Sequence, residues 1–253
     1  MNRTDSGLNG KVVIVTGGTG GIGLAIARRC LAEGASVIIS GRTDASVHTG
    51  MEKLGCPERV RGVAVDLGDA SAPRELLSRA VEQFGAVDFL VNNAGIAERK
   101  PMWEMDVPEW DRVFAVNLRA VFFCSVEFMS RLKAAGHPGA ILNVSSVAGQ
   151  NGGMAAGLAY AASKAAIIGL TRSLARHGAA LGVRVNCIAP ADIETAMTAE
   201  WPQALKDRLI GQTPMARFGD VDEVASAAAF LLGSQASYVT GQTLNVNGGL
   251  YMG

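Results

Sequence analysis

Cysteine is scarce in this chain, and its placement excludes more than its count does. Cys30, Cys56, Cys124 and Cys187 are scattered over 253 residues, with no C-x-x-C spacing and no histidine pair nearby. That argues against a disulfide framework or a zinc site and fits a reducing, cytoplasmic setting. Net charge is also lacking. Lys and Arg total 23 against 23 for Asp and Glu, and no basic stripe stands out. Neither nucleic acid nor an anionic membrane surface is therefore a favoured partner. No uninterrupted apolar run approaches the ~20 residues of a membrane span. Residues 1–10 are polar, without the apolar stretch of a secretory signal. Linkers, low-complexity tracts and repeats are missing too, so residues 1–253 are read as one domain able to bury a substantial core.

What is present is an alternation. Short β-branched runs at 11–16, 36–40, 60–65, 87–91, 140–144, 183–188 and 243–246 read as seven strands. Helical patterns fall over about 21–33, 72–84, 108–132 and 158–180. Strand, crossover helix and strand in repetition predict an α/β fold, a parallel sheet covered on both faces. The long connection at about 191–217 has helical patches and no strand, and it follows a strand's carboxyl end. A substrate lid would sit there.

The first predicted strand runs into Thr16-Gly17-Gly18-Thr19-Gly20-Gly21-Ile22-Gly23. Glycines allow a tight turn and close approach of an anion, and the following helix aims its free N–H groups at it. The outer spacing, Gly17 to Gly21 to Gly23, is one residue wider than the usual dinucleotide fingerprint. Such turns also serve simply to pack helix on strand. Tyr160-Ala161-Ala162-Ser163-Lys164 puts a phenol and an ammonium four apart on one helix face. A nearby cation favours phenolate and draws the tyrosine towards neutrality, as a general acid/base requires. A surface Tyr–Lys pair has the same spacing. Ser145-Ser146 ends a predicted strand, where hydroxyls can face a sheet's carboxyl edge or merely form a turn.

Taken together, Thr16 to Gly23, Asn92-Asn93-Ala94-Gly95, Asn117, Ser146, Tyr160 and Lys164 occur in an order and spacing that resembles the short-chain dehydrogenase/reductase family. The resemblance runs over residues 11–249 and includes Asp66, Pro190, Ile193, Thr195 and the ending Tyr238-Val239-Thr240-Gly241-Gln242. It implies a Rossmann-type, doubly wound domain with a central parallel seven-stranded sheet flanked by helices. The implied activity is hydride transfer between a nicotinamide cofactor and a carbonyl/secondary-alcohol pair, with no metal.

The resemblance also assigns roles. Tyr160 is the general acid/base, Ser146 bonds the substrate oxygen, and Lys164 holds the nicotinamide ribose. Asn117 holds a water linking Lys164 to solvent. The cofactor lies against Gly17, Thr19, Gly21, Ile22, Gly23, Arg42, Asp66, Leu67, Asn93, Ala94, Gly95, Tyr160, Lys164, Pro190, Ile193 and Thr195. Within that set Asp66 accepts from the adenine amine, Asn92 with Gly95 lines the adenosine side, and Ile193 and Thr195 fix the carboxamide. Each has a plainer reading: Asn117 could cap or bend its helix, Asp66 could end its strand, and Asn92 and Asn93 could form turns.

Two departures stand out. The interval from Ser146 to Tyr160 is one residue longer than in familiar members, to be absorbed in residues 150–157. Pro190-Ala191 replaces the usual Pro-Gly, which implies a backbone that avoids positive φ or accepts strain.

The second predicted strand ends Ile39-Ser40-Gly41-Arg42, with no carboxylate before Asp44. Family members that use NAD commonly place an aspartate there. A guanidinium suits a 2′-phosphate, which favours NADP, with NAD as the alternative. Against this, Gly20 stands where many NADP users carry a second base. Arg42 could equally be a solvated loop charge.

Phe218-Gly219 and the C-terminal half resemble the 3-oxoacyl-carrier-protein reductase branch, which is close to sugar, polyol and simple-ketone dehydrogenases. Met102, Trp103, Met154, Met197 and Trp201 are candidates for an apolar rim. Asp192 is expected to face the pocket and suggests a hydroxylated or cationic substrate. His137 and Leu181, read as loop ends near the site, offer little to an acidic carrier protein. Family likeness further implies a homotetramer, with Ala161, Ala162, Ala165, Ala166 and Gly169 allowing close helix approach. A silent nucleotide-sensing or scaffold protein is the reading from another class, and the intact Ser146, Tyr160 and Lys164 argue against it.

Overall fold

Residues 12–15 read Val-Val-Ile-Val, and in the computed structural model they lie inside a seven-stranded sheet. The structure describes residues 6–98, 101–153 and 157–253, and at Met197 the backbone. The chain runs β1 (Val12–Val15), α1 (Gly21–Ala32), β2 (Ser36–Gly41), α2 (Asp44–Leu54), β3 (Val60–Ala64), α3 (Ala72–Phe84) and β4 (Phe89–Asn92). It continues through α4 (Val107–Phe114), a π-helical stretch Ala115–Arg119, α5 (Ala120–Ala135), β5 (Gly139–Val144), α6 (Ala148–Asn151) and α7 (Leu158–Ala179). Then come β6 (Val183–Pro190), α8 (Ala196–Ala199), α9 (Gln203–Gln212), α10 (Val221–Leu232) and β7 (Thr243–Val246).

All neighbouring strands are parallel, in the order β3-β2-β1-β4-β5-β6-β7. Successive side chains point to opposite faces of a strand, so each central strand must be apolar at every position. Val13, Val15, Val37 and Ile39 accordingly pack with residues of α1 and α10 on one face. Ile14 and Ile38 pack with residues of α3 and α5 on the other. From β1 the chain winds outward to β2 and β3, then returns to β4 on the other side of β1. Loops after β1 and β4 thus diverge and open a crevice at the carboxyl edge of the sheet.

Two helices, α2 and α10, lie where no helix is expected from periodicity. Only Val47 and Gly50 of α2 are buried, which leaves little apolar period to read. The other had a legible signal: Asp220 and Glu223 form a capping box at the start of α10. The uninterrupted helix expected over 108–132 is instead α4 and α5 joined by the π-helical stretch. Val107–Ala135 is one 29-residue helical run with an 18-residue window of mean hydropathy 1.5, long and apolar enough by composition to cross a membrane. Of that window 56% is buried inside the protein, the packing of a core helix.

His137 and Leu181 do not lie near the crevice. They precede β5 and β6, where Gly139 N–H donates to the Gly182 carbonyl (3.3 Å) and His137 Nε2 stands 3.7 Å from Asp88. This is the amino edge of the sheet, so neither residue bears on substrate recognition.

Candidate active site

The crevice holds a cavity of about 700 Å³. Gly17, Thr19, Gly21, Ile22, Gly23, Arg42, Asp66, Leu67, Asn93, Ala94, Gly95, Ser146, Tyr160, Ile193 and Thr195 all line it. Asn117, Lys164 and Pro190 do not.

The glycine turn is shaped by two tight constraints. Gly17 adopts φ +63°, and a Cβ on Gly23 would stand 2.4 Å from both Asn93 Nδ2 and the Gly17 carbonyl. Asn93 occupies that space with hydrogen bonds from Nδ2 to the carbonyls of Thr16 (2.9 Å) and Gly17 (3.1 Å). Thr16 Oγ1 in turn accepts from the backbone N–H of Asn93 (2.9 Å) and Ala94 (3.0 Å). These bonds tie the end of β4 to the turn after β1 and hold the first N–H groups of α1 at the cavity. Asn92 is elsewhere than expected. It is buried in the sheet, donating to Ser125 Oγ (3.1 Å) and Asn143 Oδ1 (2.9 Å), and does not line this cavity.

At the sheet's centre, β5 ends in two serines with opposite fates. Ser145 is buried and donates its hydroxyl to the Lys164 carbonyl (2.7 Å), whereas Ser146 lines the cavity with Tyr160 and its hydroxyl accepts from Ala148 N–H (3.1 Å). Lys164 is buried behind them. Its Nζ donates to the Val144 carbonyl (2.8 Å) and lies 5.5 Å from the centroid of the Tyr160 ring. Burial lowers the lysine to about 8. Tyr160 is raised by burial, with the Ser146 hydrogen bond acting in the opposite direction. The expected fall of the tyrosine towards neutrality is thus not a property of this arrangement, because the ammonium faces a carbonyl and the ring rather than the phenol oxygen.

Asn117 sits on the π-helical stretch, an irregularity that recurs at functional positions. Its Oδ1 accepts from Ile96 N–H (2.9 Å), and its Nδ2 donates to the Ile96 carbonyl (2.9 Å) and Ser163 Oγ (3.0 Å). The side chain expected to hold a water joins three segments and keeps one acceptor position on Oδ1.

At the other end of the cavity, Asp66 meets a partner that sequence reasoning missed. Arg112 of α4 donates to both its oxygens, at 2.9 and 2.8 Å, and holds the carboxyl below its usual value. Arg112 lies far from Asp66 in sequence, so only the packing of α4 against the end of β3 reveals the pair. Arg42 is exposed, lines the same end of the cavity, and forms no ion pair with any described residue.

Pro190 ends β6, and its carbonyl accepts from Val147 N–H (2.8 Å). Ala191 has no positive φ, so the Pro-Ala sequence is accommodated without left-handed strain. Beyond it, Ile193 forms a parallel bridge with Gly219, and Thr195 caps α8. Trp201, Leu209 and Leu250 complete the apolar wall. Met102 and Trp103 are exposed outside it, and Met154 and the Met197 side chain lie outside the described residues.

A family model described as enoyl-(acyl carrier protein) reductase matches residues 17–251. The 3-oxoacyl-(acyl-carrier-protein) reductase of Vibrio cholerae is 40% identical, over 97% of this chain and 99% of that protein. A 3alpha-hydroxysteroid dehydrogenase of Mediterraneibacter gnavus is 38% identical over 95% of this chain and 97% of its own length. A solved glucose/ribitol dehydrogenase from Brucella melitensis superposes with a TM-score of 0.89 at 35% identity, covering 97% of this chain and 98% of its own. The chain belongs to the short-chain dehydrogenase/reductase family, and is an NAD(P)-dependent oxidoreductase. Relatives this similar are named for acyl, steroid and sugar substrates, so the family leaves the substrate open.

Proposed function

We propose that the protein catalyses NADP-dependent reduction of a small-molecule carbonyl, and its reverse, at Ser146 and Tyr160. The observation that carries this is the pair of hydroxyls, Ser146 and Tyr160, on the wall of the cavity that also contains the glycine turn. The residues fit a dinucleotide. Gly17, Gly20, Gly21 and Gly23 line the cavity, with open space beside Gly20, α1 presents unbonded N–H groups, and Arg42 offers a cation for a 2′-phosphate. Thr19, Gly21 and Ile22 would meet the phosphates, Asp66, Leu67, Ala94 and Gly95 the adenosine, and Pro190, Ile193 and Thr195 the nicotinamide end.

When bound, the cofactor supplies the hydride. Tyr160 gives its proton to the carbonyl oxygen, and Ser146 donates where negative charge develops there. Lys164 supports Tyr160 from behind and would hold the nicotinamide ribose. Asn117 acts as a positioning residue, since its side chain fixes Ile96 and Ser163 around the lysine. Residues 191–217, bridged to Gly219 at one end, would close over the substrate.

The substrate class best supported by likeness is a 3-oxoacyl thioester, given the reductases that this chain resembles. A polar ketone or polyol is the second reading, favoured by the carboxylate of Asp192 in the cavity wall. Following NADPH absorbance over a carbonyl panel that contains both classes tests the proposal. Oxidation with none of them would refute it.

A pH profile checks the role of Lys164. Its ammonium is present below about 8 and lost above. Reduction is therefore expected to keep its kcat/KM up to about that pH and to decline beyond it. Lys164→Arg should move the decline to higher pH in whatever activity remains. A profile flat through pH 9.5 would contradict this.

We further propose a homotetramer working in the cytoplasm. Phe122 and Phe123 on α5, 40% and 47% exposed, line a groove with Leu118, Ala166 and Leu170 whose rim carries Asp111 and Arg119, and Val126 on the same helix is 38% exposed. Ala162, Ala165 and Gly169 of α7 face outward beside it, although Ala161 is buried within the protomer. Such a contiguous apolar face suits a second copy of the chain. Light scattering should give a tetramer, and Phe123→Glu should dissociate it. A monomer at micromolar concentration would overturn this.

A further inference from the structure

Among the described residues, four charged side chains line the cavity, and they divide by position. Arg42, Asp66 and Arg112 gather at the ends of β2 and β3, the end assigned to adenosine. Asp192 stands apart from them. It lies two residues beyond β6, where Val147 N–H grips the Pro190 carbonyl at 2.8 Å and so brings this turn beside Ser146. The turn is rigid. The Asp192 carbonyl accepts from Gly219 N–H (3.0 Å), and Glu194 N–H donates back to the Gly219 carbonyl (2.8 Å).

The Asp192 side chain is half-buried, and its carboxylate makes no hydrogen bond or ion pair with any described residue. Burial alone pushes its acidity away from the usual carboxylate value. A carboxylate taken from water without a partner is costly, and a partner that arrives with the substrate removes that cost. Trp201, Leu209 and Leu250 give the same cavity apolar lining, and its only cations among the described residues, Arg42 and Arg112, belong to the adenosine end.

We propose that Asp192 is the specificity-determining residue, selecting carbonyl substrates that carry a positively polarised group, a hydroxyl hydrogen or a cationic nitrogen, on the chain beyond the reacting carbon. The same charge disfavours substrates with a carboxylate or phosphate at that place. This rests on the hydride-transfer reading of Ser146 and Tyr160.

The test uses matched six-carbon 2-ketones with the full-length protein and NADPH. They are hexan-2-one, its analogues with a hydroxyl at carbon 4, 5 or 6, the 6-trimethylammonium analogue, and 5-oxohexanoate. The readout is the ratio of kcat/KM to that of hexan-2-one, which cancels losses common to a whole variant. At least one hydroxylated ketone is expected to exceed hexan-2-one by about 10- to 150-fold, the range for a hydrogen bond to a charged group. The oxohexanoate should fall below hexan-2-one. Asp192→Leu should bring the hydroxyl ratio to about one. Asp192→Asn, which keeps an acceptor, should retain part of the hydroxyl ratio and lose any preference for the trimethylammonium compound. A cationic preference larger than every hydroxyl preference would identify the nitrogen as the selected group. Ratios near one throughout in the wild type, or ratios unchanged in Asp192→Leu, would overturn the proposal while hexan-2-one turnover left the hydride-transfer reading standing. No turnover of any ketone or of a 3-oxoacyl thioester, with either cofactor, would remove that reading and the proposal with it.

Discussion

Tyr160→Phe is expected to lower turnover by at least ~100-fold, the lower end of what a general acid/base contributes. The phenol is the group on the cavity wall placed to give a proton to the substrate oxygen, and the Ser146 hydroxyl lines the same wall. Phenylalanine keeps the ring, its packing, and its contact with the Lys164 ammonium 5.5 Å from the centroid. The loss should therefore fall on kcat, with NADPH affinity within a few-fold of the wild type. Ser146→Ala should be milder, because it removes a donor to the developing oxyanion and leaves the proton source in place. Near-normal turnover of Tyr160→Phe would show that another group supplies the proton.

The unmodified protein should bind NADPH more tightly than NADH by roughly 10- to 150-fold, the value of a charge-assisted hydrogen bond. Exposure of Arg42 and the absence of a second base at Gly20 place the expectation towards the lower figure. Arg42→Ala should erase most of the preference and leave NADH binding almost unchanged. Strengthening the preference is also feasible. A Cβ built on Gly20 meets nothing within 4 Å, so Gly20→Arg should raise NADPH affinity without disturbing the turn. The reverse switch is harder than the motif suggests. A Cβ on Gly41 would stand 2.7 Å from Thr19 Cγ2 and 2.8 Å from Ser46 Oγ. A carboxylate at that position therefore requires both side chains to turn away. Fluorescence titration of both cofactors against these variants measures each step, and equal or tighter NADH binding by the wild type would reduce Arg42 to a surface charge.

The strands were legible because a sheet covered on both faces favours continuous apolar runs, and residues 12–15 and 37–39 form two of them. Helix α2 was not, since only Val47 and Gly50 of it are buried, and a polar helix on the outside leaves no stripe to read. At the site, order and spacing placed the glycine turn, Ser146 and Tyr160 on one cavity. What they could not supply was the partner of each polar group. Asp66 is bound by Arg112, Asn117 by Ile96 and Ser163, and Asn92 by Asn143, all through contacts between segments distant in sequence. The electrostatics of Tyr160 failed for the same reason. Spacing of four residues brings Lys164 near the ring, but only the position of the Val144 carbonyl decides where its ammonium points.

In the proposed reaction a hydride passes from a reduced nicotinamide to a carbonyl carbon while Tyr160 protonates the oxygen. Reduction of the best member of the carbonyl panel with NADPH doubly deuterated at C4 tests it most directly, with mass spectrometry locating the label. One deuterium is expected on the carbinol carbon of the alcohol, and none on that carbon when unlabelled NADPH is used in D2O. Solvent deuterium on the carbinol carbon, or an alcohol formed without cofactor label, would contradict it.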